Sequence, residues 1–107
     1  NEIYKEWSGM TASEYKSYKG IRKENLRDNM SDVEVALTNL GEIATRDIAK
    51  VEHPQGLKEN IKVAKRGGKV AKGARDLYEE ETNSSAISNS NALNYKYIDD
   101  ISLIEKE

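Results

Sequence analysis

Apolar residues recur every three or four positions over two long stretches of the chain, and this spacing predicts two helices. The first helix is expected at residues 32–51 and begins with the capping box "SDVE", residues 31–34. Pro54 ends it, because the residue before a proline disfavours the helical conformation. One buried stripe is expected along this helix, formed by Val33, Leu37, Leu40, Ala44, Ile48 and Val51.

The second helix is expected from about residue 55 to residue 79, and Pro54 is well suited to open it. Its apolar face is formed by Leu57, Ile61, Ala64, Gly67, Ala71, Ala74 and Tyr78. Small residues at this spacing let another helix approach closely, so we assign a helix-packing role to Ala64, Gly67, Gly68, Ala71 and Ala74. Across the two helices we expect five residues to be buried: Leu37, Leu40, Ile48, Ile61 and Ala71.

The Gly67–Gly68 pair has two interpretations, because glycine weakens a helix interior by about 1 kcal/mol relative to alanine. The pair either allows a close helix crossing or marks a break between two helices. We favour one helix that is kinked or pinched at this point. Gly73 lies on the opposite face, where it is either a gap that admits the backbone of a ligand or an indifferent surface residue.

Shorter signals complete an all-α prediction. The capping box "TASE", residues 11–14, predicts a helix that runs to about Lys19 and stops at Gly20, and "IRKENLRDNM" predicts another short helical piece. We therefore expect a small domain at residues 1–82, with two long antiparallel helices and short N-terminal helices.

Residues 83–107 are expected to form an acidic linker and tail. The polar run "NSSAISNSN" is typical of a linker or loop, and the chain beyond it becomes apolar again. We expect this tail to be ordered, extended at first and then helical. It would dock on its own domain or on a partner subunit through Leu93, Tyr97, Ile98, Ile101 and Ile104.

The composition argues against an active site. The 107 residues include no Cys, which excludes Cys-type zinc sites, and one His, His53, which argues against His-based metal clusters and Ser-His-Asp arrangements. We expect no enzymatic activity and no cofactor, and we interpret His53 as a solvent-facing cap. No apolar run is long enough to span a bilayer, so a cytoplasmic protein without membrane contact is expected.

Charge is segregated along the chain, although the net charge is only −2. Residues 55–78 hold seven Lys or Arg and two acids, whereas residues 79–107 hold two Lys and seven acids. Six cations of the first group share one arc of about 120° on a helical wheel. This basic face consists of Lys58, Lys62, Lys65, Arg66, Lys69 and Lys72. A field of one sign attracts anions, so the face is either a binding surface for nucleic acid or an acidic protein, or a solvated helix surface.

Two segments carry a family resemblance: "WSGMTASEYKSYKGIRKENLRDNMSDVEVALTNLGEIATRDIA" and "GLKENIKVAKRGGKVAKGARDLYEEET". Over roughly residues 7–82 the chain resembles the DNA-damage-inducible protein D (DinD) family. The resemblance implies a bacterial protein of the DNA-damage (SOS) response that modulates the RecA recombinase on single-stranded DNA. Family members also have an N-terminal Bro-like domain similar to phage antirepressors. That domain is missing here, so the chain looks like the C-terminal portion. The resemblance carries no catalytic residues.

Two functions therefore remain open. One is a regulatory module that binds single- or double-stranded DNA, or a RecA–DNA filament, through the basic face. The other is a structural module of an antirepressor-like protein that makes no direct DNA contact and forms a homodimer through its small-residue face and tail. An exposed basic face favours the first function, whereas a face covered by the tail or by a second subunit favours the other.

Overall fold

The structure is a computed structural model that describes residues 2–91, and this part of the chain is helical without any strand. Its four α-helices are α1 (Glu2–Ser8), α2 (Ala12–Tyr18), α3 (Asp32–Glu52) and α4 (Gly56–Thr82), with a 3₁₀ turn at Arg27–Asn29. The all-α prediction is thereby confirmed for the described residues. None of the described helices is both long enough and apolar enough to cross a bilayer.

Both predicted capping boxes are present. The Thr11 side chain accepts a hydrogen bond from the backbone N–H of Glu14, whose carboxylate accepts one from the N–H of Thr11 at 3.0 Å. Ser31 and Glu34 form the equivalent pair at the start of α3. Each box satisfies backbone donors that the first helical turn leaves free, which fixes where α2 and α3 begin.

The turn between α3 and α4 differs in one detail from the prediction. His53 ends α3 in a left-handed conformation with a φ of 50°, is exposed, and donates its N–H to the carbonyl of Ala49. Pro54 follows at once, but α4 begins only at Gly56. Pro54 therefore ends α3, as predicted, and does not open α4.

Helix α4 continues through Gly67 and Gly68 without a break. A Cβ atom at Gly67 would lie 1.8 Å from the Thr45 hydroxyl and 2.7 Å from the carbonyl oxygen of Gly41, both on α3. A Cβ atom at Gly68 would lie 2.5 Å from the Cβ of Glu6 on α1. The two glycines thus let α3 and α1 approach the same turns of α4 from two directions.

The hydrophobic core lies where α1 packs across α3 and α4. Gly41 makes this approach possible on α3, because a Cβ there would lie 2.7 Å from a side-chain methyl of Ile3. Trp7 and Tyr15 are fully buried and meet edge to face, with ring centroids 6.0 Å apart. The buried cluster consists of Ile3, Trp7, Tyr15, Ile21, Leu26, Met30, Leu37, Ala71 and Ala86.

Burial along the predicted stripes decreases toward the α3–α4 turn. Leu37 and Ala71 are buried as predicted, whereas Leu40, Ile48 and Ile61 are only half-buried. Val51 is 79% exposed, so the prediction of a buried stripe along the full length of α3 is wrong. Leu57, at the start of the apolar face of α4, is also 78% exposed. Helix α1 contacts the long helices near Gly41 and Gly68 and has only seven residues, about 10 Å of helix. Among the described elements, no third layer reaches the α3–α4 turn.

Residues 84–91 follow α4 as irregular chain that lies against the domain. Ala86 is 1% exposed and belongs to the core, and its N–H donates to Glu79 at 2.9 Å. Further along, the carbonyls of Ser88 and Ser90 accept hydrogen bonds from Lys19. Residues 84–91 thus form a loop, as their polar composition predicts, and this loop is held on the domain by these contacts. The predicted docking residues Leu93, Tyr97, Ile98, Ile101 and Ile104 lie outside the described residues.

Candidate nucleic-acid interface

All six residues of the basic face are exposed on one side of α4. Because α4 is continuous, five lysines form a straight row with alternating steps of four and three residues: Lys58, Lys62, Lys65, Lys69 and Lys72. At 1.5 Å per residue this row is about 21 Å long. Neighbours in the row are separated by about 5–6 Å between Cβ atoms. The face is thus a narrow, linear array of positive charge.

Four of these cations make no hydrogen bond or ion pair with any residue between 2 and 91: Lys58, Lys62, Lys65 and Lys69. The other two members are paired. Arg66 donates from Nη1 to both carboxylate oxygens of Glu52, at 2.7 and 2.5 Å. Lys72 donates to Asp76 at 2.6 Å. Most of the positive charge of the face is therefore available to an external anion.

A cleft of about 250 Å³ opens beside the basic face where α3 ends. It is lined by Glu52, Pro54, Glu59, Lys62, Val63 and Arg66. Val63 is buried and supplies an apolar wall, while the charged side chains are exposed. The cleft thus brings two cations of the basic face next to two carboxylates.

The sign of the charge reverses toward the C-terminal end of α4. Asp76 is followed by three consecutive glutamates, Glu79, Glu80 and Glu81, and the last turn holds no basic residue. The N–H of Ala86 holds the pKa of Glu79 below its usual range, and the neighbouring Arg75 guanidinium lowers that pKa further. An anionic ligand is consequently repelled from this end and attracted to the longer part of α4 that precedes Asp76.

The predicted helix-packing residues lie on the other faces of α4. Gly67, Gly68 and Ala71 are buried, and Ala64 and Ala74 are partly buried against the core. Gly73, by contrast, faces open space, since a Cβ there would meet no atom within 4 Å. One helix thus holds a packed side and a solvent-facing cationic side.

Arg75 has a structural role that the sequence pattern does not reveal. Its guanidinium donates to the carbonyls of Trp7 and Ser8 at 3.0 and 3.3 Å, and its Nε donates to Glu79 at 3.2 Å. These contacts satisfy carbonyls at the C-terminal end of α1 and hold that helix on α4. The helical wheel indicates that Arg75 differs from the other cations, because it lies beside the apolar edge and away from the basic face.

A buried polar cluster around Lys19 was also missed. Lys19 and Glu34 form a fully buried ion pair at 2.8 Å, and the Tyr15 hydroxyl donates to the second carboxylate oxygen. Lys19 also donates to the carbonyls of Ser88 and Ser90 at 2.7 and 2.9 Å. The capping box identified Glu34, but no local spacing distinguishes Lys19 from a surface lysine at the end of a short helix.

A second cleft, of about 430 Å³, lies between α1, α2 and α3. It contains Tyr4, whose pKa is raised by burial, and the Arg27–Glu42 ion pair at 2.5 Å. The other charged residues of its lining are one cation, Lys16, and one anion, Asp28, so the cleft has no excess of either sign. Residues 2–91 contain no group of three or more His, Cys, Asp or Glu side chains placed to hold a metal ion. The basic face is the stronger candidate site in the described chain.

Comparisons with protein-family models, with curated proteins and with solved structures find no match for this chain.

Proposed function

We propose that this domain is a non-enzymatic, cytoplasmic regulatory module that binds DNA, or a RecA–single-stranded-DNA filament, through its basic face. In this proposal it is the C-terminal portion of a DinD-like protein of the bacterial DNA-damage response. The observation that carries the proposal is the row of four exposed lysines without a partner among residues 2–91: Lys58, Lys62, Lys65 and Lys69.

The arrangement suits a polyanion better than a small ligand. A phosphodiester backbone presents regularly spaced charges, and each lysine that neutralises one phosphate releases condensed counterions. A linear row of lysines matches a linear array of phosphates. Contacts of this kind position a protein on DNA without reading the bases, so binding is expected to be independent of sequence.

The fold also presents the row rigidly in this proposal. We take α3 and α4 as an antiparallel pair, because Gly41 lies beside Ala71 on one turn and Glu52 pairs with Arg66 nearer the connection. The close crossing at Gly67 restrains α4 along its packed side. Binding would then require little ordering of the backbone, and the main cost would be the rotamer freedom of the lysines.

Titration with fluorescent single- and double-stranded DNA at several salt concentrations tests the proposal. Four phosphate contacts predict a slope of log K against log salt of about −3.6 on duplex and about −2.8 on a single strand. A parallel titration with RecA-coated single strands tests the filament. Failure to bind any of the three at low salt would overturn the proposal.

A protein-interaction module without direct DNA contact is the second candidate. It is favoured by the apolar side chains of Val51 and Leu57, which are 79% and 78% exposed near the α3–α4 turn. A homodimer through the small-residue face is disfavoured, because α1 and α3 already occupy that face at Gly67 and Gly68. Sedimentation at several concentrations distinguishes a dimer, formed through the tail or this apolar end, from a monomer.

A further inference from the structure

We infer that Glu52 is an intramolecular competitor for the basic face: its carboxylate occupies the position on Arg66 that a phosphate of the ligand takes on binding. Glu52 would thereby set the affinity of the interface for polyanions. This inference rests on the proposed function and assigns a regulatory residue to the same site.

The geometry of the pair supports competition. Arg66 directs one guanidinium nitrogen at both oxygens of the Glu52 carboxylate, at 2.7 and 2.5 Å. A planar guanidinium binds phosphate oxygens with the same type of charge-assisted hydrogen bond. Glu52 and Arg66 are 46% and 52% exposed, so a ligand can reach the guanidinium from solvent.

The position of Glu52 in the fold gives a second argument. It is the last residue of α3, where the negative end of the helix dipole disfavours a carboxylate. The bond to Arg66 offsets this unfavourable placement. Removing the charge at Glu52 therefore removes its unfavourable interaction with the helix dipole and frees Arg66. Neutralisation of Glu52 should thus leave the fold intact.

The cleft beside the Glu52–Arg66 pair provides a second cation for a bound phosphate. Lys62, which is unpaired within residues 2–91, lines the same cleft as Arg66 and Glu52. A phosphate that displaced the Glu52 carboxylate would contact Arg66 and would lie beside Lys62. An exposed ion pair is weak, so the competition should lower DNA affinity by only about two- to fivefold.

The variant Glu52→Gln tests the inference, with Asp47→Asn as its matched control. Asp47 is also an exposed carboxylate on α3, but it pairs with Arg46 at 3.7 Å and contacts no residue of the basic face. Both variants add one unit of positive charge. We expect Glu52→Gln to bind duplex DNA about two- to fivefold more tightly than the wild-type protein, and Asp47→Asn to gain clearly less.

Repeating Glu52→Gln in an Arg66→Gln background completes a double-mutant cycle. In that background the gain should fall to the level of Asp47→Asn, because the residue for which Glu52 competes is gone and only the change in net charge remains. A gain that stays at its full size without Arg66, or a gain in the wild-type background that equals that of Asp47→Asn, would mean that Glu52 acts only through net charge and would overturn the inference. If the wild-type protein binds DNA but Glu52→Gln does not change the affinity, the inference alone fails. If neither the wild-type protein nor any variant binds, the proposed function fails and the inference fails with it.

Discussion

Lys19 is buried with its ammonium group bonded to three oxygens, whereas Lys58, Lys62, Lys65 and Lys69 extend from α4 into solvent without a partner among residues 2–91. A buried cation must recover its lost hydration from fixed acceptors, and Glu34 with the carbonyls of Ser88 and Ser90 supplies them. An exposed cation keeps its hydration and remains free to exchange it for an external anion. The same side chain is thus part of the fold in one place and a candidate binding group in the other.

Among the single substitutions, the largest effect on stability is expected from Lys19→Met. The substitution keeps most of the side-chain volume but leaves the buried Glu34 carboxylate without its cation, which typically costs about 3–5 kcal/mol. It also removes the donor to Ser88 and Ser90. Urea unfolding followed by circular dichroism measures the loss.

Two further variants control this experiment. Lys65→Met changes an exposed lysine that has no partner among residues 2–91, and its unfolding free energy should stay within about 0.5 kcal/mol of the wild type. Glu34→Gln added to Lys19→Met should restore part of the stability, because the buried carboxylate that lost the Lys19 cation is then replaced by an uncharged amide. Equal stability of Lys19→Met and Lys65→Met would remove the distinction between the two classes of lysine.

Charge reversal of the exposed lysines should change DNA binding and leave stability unchanged, whereas Lys19→Met is expected to lower stability. The triple substitution Lys62→Glu, Lys65→Glu and Lys69→Glu should leave the melting curve almost unchanged, because these side chains are exposed and make no hydrogen bond or ion pair with residues 2–91. Binding should be lost, since three of the four proposed phosphate contacts become repulsive, and each contact accounts for about −0.9 of the salt slope on duplex. If the variant binds DNA as tightly as the wild-type protein, the basic face is not the interface.

Gly67 and Gly73 repeat the comparison with a second residue type. At Gly67 a methyl group would overlap Thr45 and the α3 backbone, so Gly67→Ala should destabilise the domain by about 1–3 kcal/mol and Gly67→Leu by more. At Gly73 the methyl group would meet open space inside a helix, so Gly73→Ala should stabilise by roughly 0.5–1 kcal/mol. Thermal melts that shift in the same direction for both alanine variants would contradict the assignment of the two faces.

The sequence predicted the parts of this molecule that depend on local chemistry. Capping boxes at Thr11 and Ser31 identified the starts of α2 and α3, and the apolar spacing identified both long helices to within about three residues. It also placed the six cations on one side of α4.

Features that depend on contacts between distant segments could not be predicted in this way. The burial of Lys19 requires Glu34 and residues 88–90, which lie 15 and about 70 positions away. Val51 is exposed because α1 is too short to cover it, and the spacing of apolar residues in α3 gives no information on the length of α1. Pairing of Arg66 with Glu52 depends on where α4 begins after Pro54.

The smallest expected effect concerns the acidic tail, and the contacts of residues 86–90 determine where the chain should be cut. Truncation after Thr82 would remove Ala86 from the core and the carbonyls of Ser88 and Ser90 from Lys19, so that variant should be strongly destabilised. Truncation after Asn91 keeps these contacts and removes only residues 92–107, which hold four acids and two lysines. If the tail moderates the basic face, this shorter chain should bind DNA about two- to fivefold more tightly at low salt, and the gain should shrink as salt screens the charges. Circular dichroism of both truncated chains checks folding, and unchanged affinity of a folded 1–91 chain would show that the opposite charges of the tail and α4 do not interact.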